Sequence, residues 1–75
     1  MKVFALVIDH ATNTTVSVHR TRNGAVAVLR EYVTDYWKQD MRNVPMPTDH
    51  DEAVDIFFEN VEDEGYFIEE CTLED

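Results

Sequence analysis

Seventy-five residues carry 16 acidic and 6 basic side chains, for a formal net charge of −10, and 44% of the residues are hydrophobic. That length allows one small α+β domain, residues 1–75, and the apolar content is too high for a disordered acidic tail. A basic nucleic-acid-binding surface is excluded, because a chain of this sign repels phosphate, and no apolar run reaches the roughly 20 residues that cross a bilayer.

Val3-Phe4-Ala5-Leu6-Val7-Ile8 is a continuous apolar run rich in β-branched residues. It reads as a central strand covered on both faces. It is shorter than a secretory apolar core, and Asp9-His10 follows it without a small-residue cleavage site. With Cys71 as the only cysteine, no intrachain disulfide can form. A cytoplasmic protein is therefore expected, in the host bacterial cytoplasm if a phage encodes it. Asp9 to Thr14 is polar and reads as a hairpin loop. Thr15 to Arg20 then alternates, which predicts a half-exposed strand with Val16 and Val18 inward and Thr15, Ser17 and His19 outward.

The period changes after Thr21. Ala25, Val28, Leu29, Tyr32, Val33, Tyr36 and Trp37 recur at three- and four-residue steps, so a helix should run to about Gln39, capped by Thr21 or Asn23. Pro45 and Pro47 cannot continue it. Asp49 with Glu52 forms a capping box for a second helix, with Thr48 as the alternative cap, and the buried stripe is Ala53, Val54, Phe57, Phe58 and Val61. Gly65 is placed to take a left-handed conformation after it. Tyr66 to Leu73 alternates again, as a third strand. The expected fold is β-β-α-α-β, a three-stranded antiparallel sheet with the first strand central and both helices packed on one face.

Charge is distributed very unevenly. Residues 1–48 hold 4 acids and 6 bases, while residues 49–75 hold 12 acids and no lysine or arginine. Asp51, Asp55 and Glu59 recur at four-residue steps on one helix face, at a cost of a few tenths of a kcal/mol per like-charge pair. Glu62, Asp63 and Glu64 sit at the helix C-terminus, where the dipole disfavours them. Three readings compete: a solvated face that keeps the protein soluble, adaptation to high salt, or an imitation of a polyanion. Salt adaptation would acidify the whole chain, and the first 48 residues are not acidic. Carboxylates on a helix and an adjacent strand can be spaced like backbone phosphates and occupy a basic groove.

Other constellations carry less. Asn60-x-Glu62-x-Glu64-Gly65 imitates half a calcium loop, but its twelfth position is Cys71, not a bidentate acid. His10, His19 and His50 have no metal-ligand spacing, and there is no glycine-rich phosphate loop or nucleophile motif. No enzyme activity, cofactor or metal is expected. The aromatics of both helices read mainly as core. The outer face of the sheet, including Tyr66 and Ile68, is a second candidate partner patch.

Asp9-His10 after the apolar strand, Ser17-Val18-His19, Gly24-Ala25, Tyr32-Val33 and Trp37 together resemble small proteins of bacteria and their phages over the first 40 residues. Size, acidity and α/β form are also similar to those of phage anti-CRISPR proteins that block type I effector complexes. That resemblance implies a DNA mimic that fills the basic groove of the effector and keeps target DNA from docking. The surface expected to do so is Asp51, Asp55, Glu59, Glu62, Asp63, Glu64, Glu69 and Glu70. The partner is then a basic nucleic-acid-binding protein, with no direct contact to nucleic acid or membrane, and the inhibitor is a monomer or a homodimer. The alternative is a small homodimeric adaptor or antitoxin-like module that binds protein through its sheet.

Overall fold

The computed structural model describes residues 1–10 and 13–74. Strands β1 (Lys2–His10) and β2 (Asn13–His19) precede helices α1 (Arg22–Asp40) and α2 (His50–Asn60), and strand β3 (Glu64–Thr72) closes the order. The sheet is antiparallel in the order β2-β1-β3. The predicted α+β topology is the one observed, with the apolar first strand in the middle.

Local chemistry sets most of the boundaries. Thr21 caps α1 by accepting from the Gly24 N–H at 3.0 Å, and Asp49 caps α2 by accepting from the amides of Asp51 and Glu52. Each satisfies donors that the first helical turn leaves unpaired. The left-handed residue after α2 is Asp63, at φ 65°, and not Gly65, which lies within β3. Aspartate is among the few side chains that adopt this region readily. The first connection is shorter than the predicted Asp9–Thr14 loop: Asp9 and His10 pair with Thr14 and Asn13. The centre of that predicted loop, residues 11–12, lies outside the described residues.

The core lies between the sheet and the helices. Leu6 and Ile8 of β1 pack with Ala25, Leu29, Val33 and Trp37 of α1 and with Ala53, Val54 and Phe57 of α2. The Trp37 indole N–H donates to the Val44 carbonyl at 2.7 Å, which holds the proline-containing connection against the core.

Both helices occupy one face of the sheet, so β1 is covered on one side only, not on both as its composition suggests. Strand partners share a face, which fixes the other two strands from β1. Val16 pairs with Val7, and Val18 with Ala5. These are the residues of β1 that alternate with Leu6 and Ile8, so Val16 and Val18 point away from the helices, 64% and 61% exposed. Thr15, Ser17 and His19 take the helix side, the reverse of the predicted parity. On β3 the outward residues are Phe67, Glu69 and Cys71, whereas Ile68 packs against the core and Tyr66 lies against Phe58 at 4.8 Å between ring centroids. Tyr66 and Ile68 therefore belong to the inner face, and the expected outer patch has different members. The physical reason is size. The larger set Phe4, Leu6 and Ile8 fills the space under the helices better than Val3, Ala5 and Val7, and a two-fold strand period then carries that choice across the sheet.

Two substitutions separate these faces. Phe57 is fully buried, and Phe57→Ala should cost about 3–5 kcal/mol in urea denaturation. Val16→Thr should stay within about 0.5 kcal/mol of wild type, because no packing is lost on the bare face.

Candidate acidic interface

Helix α2 is amphipathic. Its buried stripe of Ala53, Val54 and Phe57 holds the helix on the core and leaves Asp51, Asp55 and Glu59 exposed. The following turn presents Glu62 and Asp63, also exposed. Among the described residues, Asp55, Glu59, Glu62 and Asp63 form no ion pair, although Arg22 lines the same cleft as Asp55. Asp55 and Glu59 stand one turn apart on the outer stripe of α2 and, with Glu62 and Asp63 in the turn that follows, make up an acidic ridge.

The other four members of the expected surface are placed differently. Asp51 accepts from the Arg30 guanidinium of α1, at 2.7 Å from Nη2 and 3.2 Å from Nε. Glu70 stands 3.9 Å from the Lys2 ammonium, in a pair open to water. Glu69 pairs with Ala5 and so lies on the bare face of the sheet, away from the α2 ridge. Glu64 is not a surface residue: its side chain is only 4% exposed. The ridge is thus narrower than the run of acids in the sequence.

Glu64 turns inward because it has partners there. The His10 ring places Nδ1 2.7 Å from Glu64 Oε1, and the Tyr32 hydroxyl donates to the same oxygen. His10 Nδ1 also lies 2.5 Å from the Tyr32 oxygen. With Tyr32 donating to the carboxylate, the consistent tautomer has the His10 Nδ1–H donating too. Tyr36 packs against both rings, at 5.0 Å from His10 and 4.7 Å from Tyr32. This polar knot ties the end of β1 to α1 and to the start of β3. It also moves the third oxygen-bearing residue of the calcium-like sequence Asn60-x-Glu62-x-Glu64 into the interior. Among the described residues, no group of three His, Cys, Asp or Glu side chains is placed to hold a metal ion.

Burial, and then the adjacent Glu64 carboxylate, push the Tyr32 phenol well above its ordinary range, so it remains a hydrogen-bond donor. Asp40, at the end of α1, joins the knot on less favourable terms. Its Oδ2 is buried with no hydrogen-bond partner among the described residues. Burial, and next the charge of Glu64, raise its pKa above the usual carboxylate value, while His10 partly offsets them. The helix spacing that places Tyr32, Tyr36 and Asp40 on one side was visible in the sequence. Their meeting with His10 and Glu64 was not, because it needs three distant segments to converge.

No protein-family model, curated protein or solved structure matches the chain.

A raised carboxyl pKa means that the folded state binds its proton at higher pH than the unfolded chain does. The stability tied to Asp40 is fully present below its unfolded pKa and is lost as pH rises through the folded value. Asp40→Asn should remove that loss. The variant should melt above wild type at pH 8, with the gap closing towards pH 4 in thermal melts followed by circular dichroism.

Proposed function

We propose that the protein is a non-enzymatic inhibitor that lays its acidic ridge into the nucleic-acid-binding groove of a basic target protein, as a DNA mimic of the anti-CRISPR kind acting on a type I effector complex. One observation carries the reading: Asp55, Glu59, Glu62 and Asp63 are exposed along α2 and its turn and form no ion pair among the described residues, in a half of the chain that has no lysine or arginine. Such a ridge adds like-charge repulsion along the helix and at its C-terminus and brings no intramolecular partner in return. Its benefit lies with something cationic outside the chain.

The chemistry of such an encounter is mainly electrostatic. A basic groove that holds DNA or RNA carries condensed positive charge at phosphate spacing, and a ridge of carboxylates competes for the same lysines and arginines. Long-range attraction raises the association rate. Each exposed carboxylate adds modestly, so affinity comes from the set. Asp51 stands at one end of the ridge and can exchange Arg30 for a cation of the target. Glu69 and Glu70 lie on β3 and contribute only to the wider field. Glu64 does not contact the target, because His10 and Tyr32 hold it inside.

Capture of the target from host lysate on immobilised protein, at low and at high salt, is the test. Target binding should fall steeply between about 50 and 200 mM salt, as it does for ligands of phosphate-binding grooves. Replacing Asp55, Glu59 and Glu62 together by Lys should abolish capture while the circular dichroism spectrum is retained. Undiminished capture by that triple variant defeats the proposal.

A further inference from the structure

We propose that the bare face of the sheet closes against the same face of a second copy, making a two-fold dimer with the acidic ridges on its two outer sides. The face is built from Val7, Val16, Val18, Phe67 and Ala5, with Glu69 beside Ala5 and Cys71 beyond it at one end, residues that strand pairing places side by side. Val16, Val18 and Phe67 are 64%, 61% and 52% exposed. Exposed singly they would need no explanation, but a contiguous apolar face marks an interaction surface. Val3 is buried although it lies on this side and outside the core cluster, so part of the face is already dry in the monomer.

Charge placement selects a second copy as the occupant. The ridge of Asp55, Glu59, Glu62 and Asp63 belongs to the helix layer, on the opposite side of the sheet. Sheets packed face to face lie about 10 Å apart, and each helix layer adds about 10 Å more. The two ridges of a dimer are then separated by far more than the roughly 8 Å over which charges interact at physiological ionic strength. Of the residues that strand pairing places on the bare face, Asp9 and Glu69 alone are charged, so two copies of a strongly anionic molecule meet there with little repulsion.

The arrangement of side chains also fits a two-fold axis. Let the axis run parallel to the strands, midway between the sheets. Each β3 then lies over the β2 of the other copy, and Phe67 meets the partner copy's Val16. Ala5, small and central, leaves room where the two central strands lie over each other. The same register sets each Glu69 over the partner copy's Val18, on an edge strand, so its carboxylate must extend past the sheet edge to reach water. Asp9, which accepts from Thr14 at 2.7 Å, lies at the open end of the sheet. Three strands about 4.8 Å apart over some seven residues make a small face, and closing two of them buries on the order of 800 Å² in total, low for a specific interface. The dimer is therefore weak and concentration-dependent.

Sedimentation equilibrium on the full chain tests this directly. The mass should rise from 8.7 kDa towards twice that value as concentration goes from micromolar to about a millimolar. Raising salt should hold or strengthen the association, the opposite of its effect on target capture, so the two proposals fail separately. Val16→Glu with Val18→Glu should give a monomer at every concentration, and Val16→Thr with Val18→Thr, which keeps strand preference, should weaken association at least tenfold. Asp55→Lys should leave it unchanged. A wild-type chain that stays at monomer mass up to a millimolar in 0.5 M salt overturns the inference. A dimer that survives both valine pairs overturns it as well.

Discussion

Everything in this molecule turns on which side of β1 meets the helices. Leu6 and Ile8 sit under α1 and α2, with Phe57, Val33 and Trp37 closing over them. Once that side is taken, strand pairing leaves no freedom: Val16, Val18 and Phe67 must face away, and Ser17, His19, Tyr66 and Ile68 must face in. A domain of this length has too few helices to cover a second face, so apolar residues of the central strand are left under a thin layer of their own neighbours. The exposed valines are the geometric remainder of a choice made in the core.

The same choice divides the acidic half of the chain into parts with different physical roles. Acids on the outer stripe of α2 stay in water because the inner stripe is occupied by Ala53, Val54 and Phe57. Glu64, only a few residues further along, begins a strand on the inner row and finds His10 and Tyr32 waiting there. A buried carboxylate survives only with such donors. Burial, and then the nearby charge of Glu64, raise the proton affinity of Asp40, whose inner oxygen has no partner among the described residues. Charge that looks uniform along the sequence is thus partly an internal fastening and partly a surface ridge. Only the second part can meet another molecule.

Two surfaces of opposite character result, and they lie on opposite layers. The helix layer carries anionic charge that no cation of residues 49–75 offsets, and the sheet layer carries apolar side chains. The proposed contact with a cationic target and the proposed self-contact therefore use different layers and do not compete.

The sequence by itself determined the element order, the short list of caps from which Thr21 and Asp49 came, the central place of the first strand and the exposure of Asp55 and Glu59. Each of these follows from local chemistry or from periodicity within one segment. It also showed that the negative charge is concentrated after residue 48. Only the tertiary structure decided the parity of β2 and β3, the inward turn of Glu64, the pairing of Asp51 with Arg30 and the composition of the bare face. An alternating strand offers two sides of comparable character, and the side that faces inward depends on helices far away in the chain. Partners such as His10 and Glu64 are separated by more than fifty residues, so no local pattern can announce them; they meet because the packing of β1 brings their segments together.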